Sequence, residues 1–262
     1  MYAFEIERPT TIAAAAAALA HDGAQALGGG QTLIPSLKQR LASPEKLVSL
    51  TAIPEMRGVC LSDAGEVCIG GATAHATVAA EAAAHFPALA ALASHIGDPA
   101  VRNRGTIGGS LANNDPSACY PAAVLGTGAT IITNSRSIAA DDYFDGMFST
   151  ALTEGEIITE VRFPVPQRAN YQKFVQPASR FALVGVFVAQ YAGGVRVAVT
   201  GASEGGVFRW AEAEAALSAS FSAAALEGLS VPAEGMIGDL HGTPEYRAHL
   251  VKVMTKRAVA AA

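Results

Sequence analysis

The sequence predicts an α+β protein, and three observations carry that class. Over residues 1 to about 55 the signals run helix, strand, glycine loop, helix, strand, after a first alternating segment. A turn-rich hairpin comes next. In the last third, three strand-like runs cluster before two helical ones, and segregated strands and helices are the mark of α+β folds. With 262 residues, half of them hydrophobic, the chain can bury a sizeable core as one large domain or two moderate ones.

Each element has a local reason. Tyr2 to Glu7 alternates and predicts an edge strand running to Pro9. Thr10 or Thr11 can cap the alanine-rich helix that follows, which ends near Gly23. Gln25 to Leu27 is a short strand leading into Gly28-Gly29-Gly30. Leu33 to Leu41 has helical spacing, with Lys38 and Arg40 where cations suit the dipole. Lys46 to Leu50 reads as a strand. Val59 to Leu61 and Glu66 to Ile69 flank the turn Ser62-Asp63-Ala64-Gly65, a hairpin. Thr73 to Ala84 and Pro87 to Ile96 are helical, and Gly97-Asp98-Pro99 breaks the pattern. Val101 to Arg104 leads into a second glycine loop at Thr106 to Pro116. Tyr120 to Leu125 is helical, Thr130 to Thr133 and Ile157 to Phe163 are strands, and Pro164 to Arg168 is a linker. Tyr171 to Val175, Ala182 to Tyr191 and Val195 to Gly201 suggest an antiparallel sheet. Trp210 to Leu217 and Tyr246 to Val259 suggest helices.

Bulk composition excludes several classes. A net charge of -5 with no Lys/Arg cluster argues against nucleic-acid binding. No run reaches the roughly 18 apolar residues of a membrane span. The alanine run Ala13 to Ala18 follows Glu5, Glu7 and Arg8, unlike a signal peptide, so a cytoplasmic protein is expected. Three cysteines, Cys60, Cys68 and Cys119, with no C-x-x-C, give neither a disulfide framework nor a zinc or iron–sulfur site. The six histidines are scattered, so no metal site is expected.

Chemistry concentrates in two glycine segments. Glycine lets main-chain N–H groups approach a ligand closely. Such groups neutralise a pyrophosphate without a buried cation. Gly28-Gly29-Gly30-Gln31-Thr32-Leu33 is one such run; alone it is equally a tight strand-to-helix turn. It is no Walker loop, having no Gly-Lys-Ser/Thr. It is no Rossmann fingerprint either, because Leu33 stands where a third glycine belongs. The second run, Thr106-Ile107-Gly108-Gly109-Ser110 with Asn113, Asn114 and Asp115, packs donors and acceptors around a glycine pair. Asp115-Pro116 alone reads as a turn or a helix start, and Arg102 and Arg104 either face phosphate or pair with carboxylates on the surface. Two such segments suit a dinucleotide.

These residues resemble the medium FAD-binding subunit of the molybdenum hydroxylases, the group of bacterial carbon monoxide dehydrogenase and xanthine dehydrogenase. The similarity lies in Leu27 to Pro35 and in Arg102-Asn103-x-Gly105-Thr106-Ile107-Gly108-Gly109-Ser110, with Asn114-Asp115-Pro116 behind. It extends to Pro44-x-x-Leu47-Val48-x-Leu50, Ile53-Pro54-x-Met56-Arg57-Gly58-Val59 and Ala178 to Gly185, and so covers nearly the whole chain. The resemblance implies a FAD-binding domain of the vanillyl-alcohol-oxidase type (PCMH-type) over residues 1–168. It implies subdomains at about 1–56 and 57–168, and a small C-terminal α+β domain over 169–262. It places cofactor contacts on Gly28, Gly29, Gly30, Gln31, Thr32, Leu33, Thr106, Ile107, Gly108, Gly109 and Ser110, with Asn114 and Asp115 close by. Phe181 matches the residue that approaches the flavin ring; an ordinary core phenylalanine is an equal reading. Many relatives carry an aspartate where this chain has Cys119, and a thiol cannot make the same charge-assisted hydrogen bond.

The function implied is electron transfer with no side-chain acid or base. FAD would take electrons from the [2Fe-2S] clusters of a small partner subunit, beside a large molybdopterin subunit, and release them to NAD, oxygen or a quinone. Two alternatives are a FAD-containing scaffold without turnover and a self-sufficient flavin oxidase. Gln31, standing nearest the place of a covalent-attachment histidine, leans against the oxidase.

Overall fold

The computed structural model describes residues Met1–Ala262. The first part is a parallel three-stranded sheet with strand order β1-β3-β2. Strand β1 (Glu5–Glu7) precedes helix α1 (Ile12–Leu19), which Thr11 caps by accepting the Ala14 amide at 3.2 Å. Strand β2 (Ala24–Leu27), helix α2 (Leu33–Lys38) and strand β3 (Lys46–Ser49) complete it. Ala15, Ala18, Leu19, Val48, Ile53 and Met56 form its small core, with Ala72 and Ile157 reaching in from the next part.

The second part is a five-stranded sheet in the order β4-β5-β8-β6-β7. The hairpin β4 (Val59–Leu61) and β5 (Val67–Gly70) forms at the expected turn. Then come α3 (His75–Glu81), α4 (Pro87–Ser94), α5 (Pro99–Arg102), α6 (Ile107–Asn113) and α7 (Tyr120–Thr127). Strands β6 (Thr130–Thr133), β7 (Ser137–Ala139) and β8 (Ile158–Phe163) finish the sheet. Every residue of α7 is buried. It packs on the middle core on one side and on the last sheet on the other, as an all-round apolar helix must.

The last part is an antiparallel sheet of β9 (Arg168–Val175), β10 (Ala182–Tyr191), β11 (Gly194–Thr200) and β12 (Phe208–Arg209). Helices α8 (Ala211–Ala219) and α9 (Pro244–Ala261) cover one face, and the other meets α7. On α9, Arg247 is almost fully buried. Its Nη1 donates to the Leu183 and Gly201 carbonyls at 2.8 and 2.7 Å, and its Nη2 pairs with Asp239 at 2.8 Å.

Several sequence expectations need correction. The run from Thr106 is not a loop: Ile107–Asn113 is helix α6, with the glycine pair in its first turn. Thr106 caps it, its Oγ1 accepting the Gly109 amide at 3.2 Å, and a good cap outweighs the low helix propensity of two glycines. Ala74 is extended, because it pairs with Thr106 at the strand-like start of that segment, so α3 begins at His75. The helix from Leu33 stops at Lys38, and Arg40 has φ +60°. Val101 and Arg102 lie in a short helix capped by Asp98, whose Oδ1 accepts the Val101 amide at 2.9 Å. The linker ends at Gln167. No helix is long and apolar enough to cross a membrane.

Candidate functional site

The two glycine segments, some 75 residues apart in sequence, lie against each other. A Cβ placed on Gly28 would stand 2.8 Å from the Thr106 hydroxyl oxygen, and one on Gly29 would overlap the Arg104 carbonyl. At Gly29 the contact is backbone to backbone. Gly30 turns the chain into α2 with φ +73°, a conformation that favours glycine.

The two segments differ in what they offer. None of the N–H groups from Gly28 to Leu33 donates a hydrogen bond within the chain, and the residues are half-buried or exposed. Unpaired donors in such a row form an anion-binding nest. Gln31 folds back, its Nε2 donating to the Gly29 carbonyl at 3.4 Å, and the Thr32 carbonyl accepts from the Ser36 amide at 3.2 Å. The Thr32 hydroxyl has no partner in the chain.

In the second segment the N–H groups from Ile107 to Ser110 are engaged. Ile107 donates to the Thr73 carbonyl at 3.1 Å, Gly108 to Gly71 at 2.9 Å and Ser110 to Thr106 at 3.0 Å. Its main-chain donors therefore do not mirror the first loop, contrary to the symmetric picture drawn from sequence. What it presents is surface. Gly109 is exposed, and a Cβ there would meet only the Thr106 hydroxyl, at 3.0 Å. The half-buried Ser110 hydroxyl makes no bond in the chain. Gly108 faces inward, 2.6 Å from the Gly71 carbonyl to an added Cβ.

Neighbouring candidates divide likewise. Asn114 ends α6 in the left-handed conformation and is buried. Both hydrogens of its Nδ2 are engaged, to the Gly146 carbonyl at 2.7 Å and the Ser149 carbonyl at 2.8 Å, so it braces the 146–149 loop rather than facing a ligand. Asp115 Oδ1 accepts the Ser117 amide at 2.8 Å in a turn. Arg102 donates to the Ile96 and Gly97 carbonyls, both at 3.0 Å, and is thereby committed to structure. The Arg104 side chain is exposed. Phe181 packs at the fringe of the last core, edge-on to His241 at 5.4 Å between ring centres. Cys119 is buried in the middle core next to Tyr171.

Sequence reasoning missed His75. Its amide donates to the Gly105 carbonyl at 2.9 Å, and its ring fills the space where a Gly105 side chain would be, with Nε2 2.6 Å from that Cβ position. Burial, and then the Arg102 charge, lower its pKa to about 4, so the ring is neutral at physiological pH. Its Nδ1 is buried without a partner, against the Tyr120 ring at 5.3 Å. The available signal was Gly70-Gly71-Ala72-Thr73, a glycine pair at a buried strand end, whose carbonyls receive the second segment.

Comparison with known proteins identifies the family. Residues 2–166 match the family described as FAD binding domain in molybdopterin dehydrogenase. The chain is 31% identical to the carbon monoxide dehydrogenase medium chain of Hydrogenophaga pseudoflava, over 99% of this chain and 96% of that one. It is 34% identical to the nicotine 6-hydroxylase medium subunit of Paenarthrobacter nicotinovorans, over 89% and 87%. Among solved structures, reconstituted CO dehydrogenase from Oligotropha carboxidovorans superposes with a TM-score of 0.87 at 31% identity, covering 99% of this chain and 97% of that one. Quinoline 2-oxidoreductase from Pseudomonas putida 86 gives 0.88 at 29% identity, covering 100% and 97%. The expected α+β architecture is the one shared with these proteins.

Proposed function

Because the chain belongs to the FAD-binding subunits of the molybdenum hydroxylase family, an oxidoreductase component, we propose that it carries electrons from a [2Fe-2S] partner subunit to an external acceptor. The observation that carries the proposal is the row of unpaired N–H groups from Gly28 to Leu33, open beside the exposed Gly109. That donor set fits a pyrophosphate. Gly28, Gly29, Gly30, Gln31, Thr32 and Leu33 would hold the FAD pyrophosphate by their amides, the Thr32 hydroxyl adding a donor. Thr106, Gly109 and Ser110 would line the opposite wall, while Ile107 and Gly108 anchor that wall to Thr73 and Gly71. Asn114 and Asp115 would hold the shape of the region, and Phe181 would flank the flavin from the last sheet.

Bound FAD supplies reversible one- and two-electron chemistry. The chain's own part is to orient the cofactor and exclude water; no side chain here is assigned a proton-transfer step. Residues 1–168 would form the FAD-binding unit and 169–262 the C-terminal one. The large molybdopterin subunit and small [2Fe-2S] subunit would complete the complex, and NAD, oxygen or a quinone would take the electrons. The three unpaired cysteines suit a cytoplasmic setting.

The test is to isolate the chain with its co-expressed partners and record flavin content and metal content. One FAD per chain, with flavin bleached on adding the partner's substrate and restored by an acceptor, is expected. A colourless chain that takes up no FAD would end the proposal. Substrate turnover by the isolated chain would favour the oxidase reading instead.

A further inference from the structure

We propose that Cys60 and Cys68 are a thiol pair that hydrogen peroxide closes reversibly into a disulfide. The pairing comes from the sheet. Strands β4 and β5 are antiparallel with Cys60 directly opposite Cys68, so both side chains leave the same face. Both thiols are free; Cys60 is exposed and Cys68 is buried. Cys119 is buried elsewhere, in the middle core.

The register also explains why the pair is open. Gly70 donates to the Gly58 carbonyl at 3.1 Å and Ser62 to the Glu66 carbonyl at 2.9 Å, which puts Cys60 and Cys68 in a hydrogen-bonded pair. Facing Cβ atoms in such pairs stand up to about 5.5 Å apart, and a disulfide needs roughly 3.5–4.5 Å. Closure requires the strands to approach by on the order of 1 Å. Strand β4 can make that move. It is the edge strand of its sheet, three residues long, between the Ser62–Gly65 turn and Gly58, where an added Cβ would meet no neighbouring atom. A bond held under such strain is readily reduced again.

The chemistry balances with peroxide as the oxidant. The accessible Cys60 sulfur attacks one peroxide oxygen, breaking the O–O bond; a sulfenic acid and one water result. The Cys68 sulfur then attacks the Cys60 sulfur, forming the S–S bond and releasing the second water with the remaining thiol proton. Two thiols and one peroxide give one disulfide and two waters. Cys60 leads because burial, reinforced by Glu160 and Cys60 and opposed by Arg162, pushes the Cys68 thiol up to about 11.

Closure would be felt at the second glycine segment. The Gly58 amide donates to Thr73 Oγ1 at 2.9 Å, that hydroxyl donates to the Gly58 carbonyl at 3.2 Å, and the Thr73 carbonyl accepts from Ile107. A shift of β4 therefore reaches Ile107 through one residue.

The test treats the protein as isolated with equimolar hydrogen peroxide and maps peptides by mass spectrometry. Flavin absorbance is recorded separately, because the thiol chemistry does not depend on the cofactor reading. The expected result is a peptide joining Cys60 to Cys68, lighter by two hydrogens, released by dithiothreitol and missing in Cys60→Ser and in Cys68→Ser. Amide exchange at Ile107 should change in the oxidised wild type and not in either variant. Cys60 carried on to sulfinic acid while Cys68 remains alkylatable after unfolding would overturn the proposal, as would exchange at Ile107 that ignores the cross-link.

Discussion

At Gly109 an added Cβ would meet only the Thr106 hydroxyl, whereas at Gly108 it would strike the Gly71 backbone. The two neighbours therefore predict different failures. Gly109→Val should leave the fold intact by circular dichroism yet lose FAD in gel filtration, because its methyl groups enter the proposed ligand space. Gly108→Val should lower the thermal midpoint even in apoprotein, since a fixed backbone cannot give way. Intact flavin occupancy in Gly109→Val would count against the site. His75 carries a pH prediction. Its folded pKa of about 4 lies below the ordinary 6.5, so the unfolded chain binds the proton first as pH falls. The stabilisation is complete above pH 6.5, declines between 6.5 and 4, and levels off below; its limit is about 3 kcal/mol. Urea titrations across that range should show the slope in wild type and a weaker one in His75→Gln. An unchanged slope would mean that another group carries it.

At the scale of elements, α6 depends on one side chain. Thr106→Ala removes the cap and should cost about 1 kcal/mol, while Thr106→Ser should keep most of it, as thermal denaturation would show. How far the elements were legible follows from where their information sits. The β4–β5 hairpin, α1 and β10 carry their signals locally, in turn residues, a cap and an apolar run, and all were readable. Helix α6 was not, because two glycines look like a loop until Gly71 and Thr73 accept its first amides from elsewhere in the chain. Strand β7 has three residues, and β12 two, too few for a period. The site was half legible. The free amides of Gly28 to Leu33 lie where the glycine run put them, but the brace made by Asn114 and the wedge made by His75 depend on residues 146–149 and on Gly105, which no local spacing reveals.

Across the whole molecule, the last sheet grips the turn that follows α6. Thr200 Oγ1 bridges the Pro116 and Ala118 carbonyls at 2.9 and 2.8 Å, and the Gly201 amide donates to Pro116 at 2.7 Å. Arg247 holds the Gly201 carbonyl from behind. Thr200→Val keeps the shape and leaves the Ala118 carbonyl without that donor, so it should destabilise by about 1–2 kcal/mol. Proteolysis of the variant should begin at the 114–119 turn; unchanged protection there would show that the grip is dispensable. The strand order β4-β5-β8-β6-β7 has a further effect, on the nascent chain. Strand β5 leaves the ribosome with a wholly buried sequence, Val67 to Gly70, but its inner neighbour is β8, made almost ninety residues later. Translation needs on the order of ten seconds to cover that stretch. Throughout that interval an apolar, unpaired edge waits for its partner, which makes chaperone demand and aggregation during synthesis a property of the topology itself.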